Sequence, residues 1–402
     1  MPEGFFLGST LAQSKPPPSL VAKCGACGLY KECQSPKMPP SGKGKRKILV
    51  VGSFPGEEED SRGSHLVGKA NQHFRGLLRK HGVDPDKDCV HTNALICRTD
   101  GDKPPTTKQI GYCRPNLLKT LQQAKPTTIL LLGAAAVESV VGWAWKENVG
   151  AIERWVGWNI PHQRLNTWLC PLYHPSFLMK EDSQALNVIF DRHLKAALSH
   201  EGVPWPDGAP NYRKEVEIIL SPTKAAKAIR SITKQGEPSA FDYETNRLKP
   251  ERKDSQIVCC SISNGKRTIA YPWNGDAITA TREFIRSPIA KIASNMKFEE
   301  RWTRRLLKTR VKNWMWCTMT GAHVLDHRQS VTSVKFQSLV QLGFEAYDDH
   351  IGTFLQGKGG QGMNKILSEI DISDLLLYCG VDSLVEWHVA KLQTKQIGKP
   401  FR

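Results

Sequence analysis

Short, continuous apolar runs that end at glycine mark the first half of this 402-residue chain. KILVVG (47–52) and TTILLLG (127–133) show no polar alternation, which predicts strands buried on both faces. The second run leads into an Ala-rich helix start. Such strands alternating with helices predict a parallel, doubly wound sheet, whose ligands sit at the carboxyl ends of the strands. Residues 199–214 carry Pro and Gly without periodicity and predict a linker. A second pattern then begins, with a strand at 216–220, another in SAFDYETN, and two around a Gly turn in QIVCCSISNGKRTIAYPW. Amphipathic helical segments follow, for example 281–285 and 373–393. Strands first and helices later predict a mixed sheet flanked by helices. The expected architecture is therefore α/β with two domains, 1–198 and 215–402, joined by the linker 199–214. No internal repeat is present.

No apolar run approaches the roughly 18–20 residues of a membrane span. Residues 1–15 lack the basic start and apolar core of a secretory signal, so a cytoplasmic protein without a membrane partner is expected. The net charge is +17, and both halves share it: 26 basic against 17 acidic residues in 1–200, and 30 against 22 in the remainder. An excess spread in this way suits an extended polyanion. KMPPSGKGKRK (37–47) reads as a flexible basic arm or loop suited to phosphates. Eleven cysteines in a cytoplasmic chain point to a metal or cluster site before a disulfide framework.

KCGACG places Cys24 and Cys27 in a C-x2-C turn, a spacing that also fits zinc or a redox pair. Cys97 and Cys113 add C-x15-C and complete a set of four thiolates, leaving Cys33 and Cys89 spare. GSFPGEEED (52–60), directly after the first apolar run, sets four carboxylates behind a tight turn. From Cys24 to about Leu178 the chain resembles the iron–sulfur (family 4) uracil-DNA glycosylases, including the glycosylase-like domains of some bacteriophage DNA polymerases. The resemblance rests on seven pieces in one order: the C-x2-C, GSFPGEEED, GSHLVGKA, HTNALICR, YCRPNL, ILLLG and YHPSFL. It implies a structural [4Fe–4S] cluster on Cys24, Cys27, Cys97 and Cys113, with zinc on the same thiolates as the alternative. It also implies a base pocket formed by Gly52, Ser53, Phe54, Asp60, Leu66, Asn93, His174 and Ser176. Asn93 would read the uracil edge, and His174 would lie near the leaving oxygen or the phosphates.

Two positions depart from that family. Its first motif reads Gly-Glu-Ala-Pro-Gly, with an acid that helps activate water, where this chain has Ser53 and Phe54. The family's base-stacking aromatic is replaced by Leu66. Serine is no general base without a partner, and leucine offers no π-face, so base excision stays open while the fold and DNA affinity are expected to persist. Five tryptophans fall within 143–168, where packing is a better account than base stacking.

In the second half, FDYETN carries Asp242 and Glu244 at i and i+2, on one face of a strand and able to bind divalent ions. NMKFEERW adds Glu299, and YCGVD adds Tyr378 and Asp382 at i and i+4, on one face of a helix. Residues from about 216 to 393 resemble the proofreading 3′–5′ exonuclease domain of the DNA polymerase I family, within the ribonuclease H-like fold. Glu299 stands where the family usually has Asp, and Cys317 where relatives often have Asp; Asp326 reads as a structural helix-end residue. The resemblance implies two-metal hydrolysis: Asp242, Glu244 and Asp382 hold two Mg²⁺ or Mn²⁺ ions, Glu299 reaches one directly or through water, and Tyr378 orients the attacking water or hydroxide.

The combined expectation is a DNA-processing enzyme of phage-type replication or repair, a 3′–5′ exonuclease acting on single strands or 3′ ends. No polymerase domain is seen after the last exonuclease motif, so a separate polymerase subunit is the expected partner. The alternatives are a dual enzyme that excises uracil and trims the end, and a non-enzymatic DNA-binding accessory subunit.

Overall fold

The computed structural model describes residues 21–145, 148–345, 347, 351 and 370–401; residues 1–15, read above for a signal, lie outside that set. The chain divides into two compact units, with the boundary between Pro126 and Thr127.

In the first unit the elements run α1 (Cys24–Cys27), β1 (Ile48–Gly52), α2 (Glu57–Arg62), α3 (Lys69–Lys80), α4 (Pro85–Asp88), β2 (Cys89–Asn93) and α5 (Thr107–Ala124). The apolar run 48–52 forms β1, buried throughout as its composition predicts. It pairs in parallel with β2, and Gly52 lies opposite Asn93. Apolar content did not single out β2, because His91, Thr92 and Asn93 are polar yet buried. The basic segment 37–47 is not a flexible arm. Ser41 and His91 exchange backbone hydrogen bonds of 3.1 and 2.8 Å, and the amides of Lys43, Gly44, Lys45 and Arg46 donate to carbonyls between Asp86 and Cys89. Backbone groups satisfied in this way hold the loop against α4 and β2.

The second unit opens with β3 (Thr128–Leu132), α6 (Ala134–Ala144), β4 (Ile160–His162), β5 (Thr167–Leu172), α7 (Pro175–Glu181) and α8 (Gln184–Leu198). Here β3 and β5 are parallel, as expected, but β4 runs antiparallel on β5. It continues with β6 (Val216–Ile218), α9 (Pro222–Gln235), β7 (Ser239–Thr245), β8 (Ile257–Ser263), β9 (Thr268–Pro272), α10 (Gly275–Arg286), β10 (Lys291–Ala293), α11 (Lys297–Trp302), β11 (Trp314–Cys317), α12 (Thr318–Leu325), α13 (Val334–Leu342) and α14 (Ile372–Gln396). The six strands form one sheet in the order β11-β10-β7-β8-β9-β6. It is mixed, as expected: β7–β8 and β8–β9 are antiparallel, and the other pairs are parallel.

Period-two alternation in β7 sorts its side chains between two layers. Phe241 and Tyr243 join the core under α9 and α10, with Ile229, Ile232, Tyr271 and Phe284. Asp242 and Glu244 face the other way, toward α14, where the Asp242 backbone and side chain meet Cys379. Asp371 caps α14, its side chain accepting from the Ser373 amide at 2.7 Å. Gly380 lets this helix approach the sheet, since a Cβ there would come within 2.3 Å of Val216.

The tryptophan segment is packed, as its composition anticipated. The rings of Trp145, Trp155 and Trp158 lie 6.0, 5.2 and 6.0 Å from that of Phe336 on α13. The Arg154 guanidinium sits 4.6 Å over the same ring. The expected linker runs into a short 3₁₀ turn, Tyr212–Glu215, and is tied down: Asn166 accepts from the Trp205 amide and donates to its carbonyl, at 3.1 and 2.8 Å. Among the described residues no helix is long and apolar enough to cross a membrane.

Candidate active sites

The acidic site lies between β7, the start of α11 and the middle of α14. Asp242, Glu244 and Cys379 each present one ligand atom within 4.8 Å of the others. The Cys379 thiol donates to Asp242 Oδ2 at 3.6 Å. One turn beyond Tyr378, Asp382 accepts from the Tyr347 hydroxyl. Glu299 is buried on α11, and its Oε2 has no hydrogen-bond partner among the described residues. Burial, and next the charge of Asp382, pushes the Asp242 carboxyl up to about 8. Burial and the charge of Asp242 drive Glu244 and Glu299 well above the usual carboxylate range. Tyr378 is held protonated by burial and by the charge of Asp382. The other four residues expected from the sequence, Glu244, Glu299, Tyr378 and Asp382, therefore gather around Asp242, each within electrostatic reach of it. Cys379, Tyr347 and Glu386 escaped the sequence reading. Glu386 alone had a legible signal, its i+4 spacing from Asp382. Cys317 ends β11, and Asp326 follows α12 in a bidentate pair with Arg328, as the helix-end reading anticipated.

In the first unit Cys24, Cys27, Cys97 and Cys113 line one cavity, walled by Leu29, Leu95, Ile96 and the rings of Tyr30 and Tyr112. Gly28 in the left-handed region (φ 76°) ends α1, so the C-x2-C pair occupies a single helical turn. The Lys37 amide donates to Cys97 Sγ at 3.3 Å, and the Ile96 amide and Asn116 side chain donate to Cys113 Sγ at 3.5 Å each. Burial pushes Cys97 up to about 12 despite the Lys37 amide, with Cys33 and Cys113 adding repulsion. Burial also raises Cys113. The spare Cys33 thus lies beside the set, whereas Cys89 is a buried strand residue.

The GSFPGEEED turn follows the carboxyl end of β1. Of its four acids, Glu57 is exposed and faces Arg98, while half-buried Glu58 faces Arg62. Glu59 Oε1 accepts from the Val67 and Gly68 amides and from Asn71, at 2.7–3.0 Å. Asp60, expected in the base pocket, is 2% exposed and accepts from the amides of Gln34 and Ser35 at 3.0 and 2.8 Å. Its carboxylate holds the loop that follows the cysteine turn, each oxygen accepting from one backbone amide. Half-buried Ser53 and Phe54 stand at the strand end, and Leu66 is buried with a left-handed backbone (φ 57°). Asn93 is buried, and its Nδ2 lies 3.3 Å from His65 Nδ1. The His65 Nε2–H donates to the Pro39 carbonyl at 2.9 Å, so Nδ1 is left to accept from Asn93, and this sets the direction of the amide. A Cβ at Gly52 would lie 2.3 Å from Asn93 Oδ1, so only glycine leaves room for that amide. His174, the histidine expected near the leaving group, belongs to the second unit, where its Nδ1 meets Ser176 Oγ at 2.7 Å.

Residues 39–199 match the uracil DNA glycosylase superfamily, and residues 216–394 match the 3′–5′ exonuclease family. This chain joins a uracil DNA glycosylase superfamily domain to a 3′–5′ exonuclease domain. The glycosylase domain is similar to the type-4 uracil-DNA glycosylase of Thermotoga maritima, 29% identical over 183 residues that cover 44% of this chain and 90% of that protein. The Archaeoglobus fulgidus type-4 enzyme is 30% identical over 120 residues, 30% of this chain and 59% of that protein. A match to the DNA polymerase of Bacillus phage SP01 runs through both domains at 22% identity, over 81% of this chain and 37% of that protein. Among solved structures, Brucella melitensis NrnC is similar at 15% identity and TM-score 0.32, over 40% of this chain and 74% of that one.

Proposed function

We propose that the exonuclease domain removes nucleotides from DNA 3′ ends by metal-dependent hydrolysis, while the glycosylase domain holds DNA. The observation that carries this reading is the convergence of Glu244, Glu299, Tyr378 and Asp382 on Asp242. Repelling, half-buried to buried carboxylates are a donor set suited to divalent cations with hard oxygen preferences. When bound, two Mg²⁺ or Mn²⁺ ions supply charge stabilisation to the attacking and leaving oxygens. Asp242, Glu244 and Asp382 would hold them, with Glu299 alongside. Tyr347 orients Asp382 through its hydroxyl. Tyr378, protonated at neutral pH, donates a hydrogen bond that orients the attacking water.

The cysteine cavity suits a [4Fe–4S] cluster better than zinc. Among the described residues, no three of its sulfurs come within 4.8 Å of one another. Tetrahedral zinc with bonds of ~2.3 Å would need sulfurs ~3.8 Å apart. Amide donors aimed at Cys97 and Cys113 favour thiolates there. The cluster's contribution is structural, tying α1, the segment after β2 and α5 together. In the base pocket, Asn93 keeps an oriented amide, while backbone amides engage Glu59 and Asp60 and arginines face Glu57 and Glu58, so none is an obvious replacement for the acid missing at Ser53. DNA binding is therefore the primary role of this domain. We take 1–198 and 215–402 as the functional domains with 199–214 as linker, and a separate polymerase subunit as partner, a reading supported by the phage polymerase match.

One assay set tests these roles, using labelled DNA with and without uracil, in Mg²⁺ or in chelator. A metal-dependent ladder from the 3′ end is expected. Alkali-labile sites formed in chelator would establish uracil excision as well, and DNA retention without nucleotide release would overturn the exonuclease reading in favour of an accessory subunit.

A further inference from the structure

One buried acid next to the exonuclease site is not accounted for by the residues above. Glu386 lies on α14, one helical turn after Asp382 and on the same face. It is 2% exposed. Its Oε1 accepts from the Ser294 amide at 2.9 Å, at the end of β10 just before α11, the helix that carries Glu299. Its Oε2 is buried and has no hydrogen-bond partner among the described residues, and the same holds for Glu299 Oε2. The charges acting most strongly on Glu386 are those of Asp242, Glu299 and Asp382, all carboxylates.

A buried carboxylate oxygen without a donor is costly, and repulsion from three neighbouring acids raises that cost. The Ser294 contact explains why a hydrogen-bond acceptor stands at this position. It does not explain a second oxygen left open beside other acids, because an amide or a hydroxyl would serve the backbone equally well. A divalent cation supplies what is missing: positive charge and a demand for oxygen ligands.

We propose that Glu386 is a further carboxylate of the metal site, presenting Oε2 on the side of Glu299 while Oε1 anchors the Ser294 backbone. The proposal rests on the divalent-ion reading above and extends it to a fifth acid. Glu386 is then a ligand or a direct partner of a metal-bound water, and it compensates on α14 for the longer Glu299 on α11.

The test is Mn²⁺ titration of the full chain without DNA, by calorimetry or electron paramagnetic resonance, together with metal-free melting. Glu386→Gln keeps an acceptor for Ser294 and removes the charge. We expect it to weaken Mn²⁺ binding about 10–100-fold, with a metal-free melting temperature equal to or above that of the wild type. Glu386→Asp, which restores the charge, should recover part of the affinity. Asp242→Ala serves as reference and should lose binding. If the wild type binds Mn²⁺, Asp242→Ala does not, and Glu386→Gln binds like the wild type, the proposal fails and the exonuclease reading stands. If Glu386→Gln only lowers the metal-free melting temperature with affinity unchanged, Glu386 is a backbone anchor and the proposal fails again. A wild type that binds no Mn²⁺ overturns the metal reading itself, and this proposal with it.

Discussion

Replacing Asp242 by Asn should stabilise the metal-free protein and abolish its response to metal. Burial and the charge of Asp382 raise the Asp242 carboxyl from 3.8 to about 8. An acid whose folded pKa lies above its unfolded one stabilises the fold while protonated. That stability is complete below about pH 4 and is lost as the pH rises through about 8. A rise of about four pH units, at about 1.4 kcal/mol each, sets a ceiling of about 6 kcal/mol. Asp242 is only partly buried and shares its repulsion with other acids, so about 2 kcal/mol is a more realistic gain for the Asn variant at pH 8. At about 2–4 °C per kcal/mol, the variant should melt about 4–8 °C above wild type in chelator at pH 8, and the gap should narrow toward pH 5. Saturating Mn²⁺ should reverse the order. A hundredfold excess over Kd stabilises the wild type by about 2.7 kcal/mol, and the variant, lacking a central ligand, gains little. Calorimetric melts at pH 5 and pH 8, with chelator and with Mn²⁺, measure all four states. An Asn variant that melts below wild type in chelator at pH 8, or gains as much from Mn²⁺, would overturn this account of the site.

Three further outcomes are expected of the same molecule. Anaerobically purified protein should be brown, with iron bound, and Cys27→Ser should lose iron and the visible absorption; a colourless wild type carrying zinc would sink the cluster assignment. Gly52→Ala drives a Cβ into Asn93 Oδ1, so its preference for uracil-containing over uracil-free DNA should fall about tenfold in anisotropy titrations, and an unchanged preference would remove Asn93 from base recognition. Phe336→Ala empties a fully buried site ringed by three tryptophans; urea melts should show a loss of about 3–5 kcal/mol, and a loss below about 1 kcal/mol would contradict the packing described above.

Local periodicity carried much of this protein. Alternation along β7 already put Asp242 and Glu244 on one face, and i, i+4 spacing put Tyr378 and Asp382 on another, because these repeats belong to the backbone itself. The continuous apolar runs at β1 and β3 were legible for the same reason. Features that depend on distant segments were not. Lys37–Lys47 reads as a flexible basic arm or loop, yet its amides find carbonyls near α4 and β2. Asp60 reads as a pocket acid, yet the amides of Gln34 and Ser35 claim it. No spacing rule marks Tyr347 as the partner of Asp382, or His65 as the partner of Asn93. Backbone repeats written into the chain thus set which residues share a face of a strand or helix. Which of those faces meet was left to three-dimensional packing. That packing also chose which buried groups are paired and which, like Glu386 Oε2, find no partner among the described residues, because hydrogen bonding and desolvation are settled by neighbours far away along the chain.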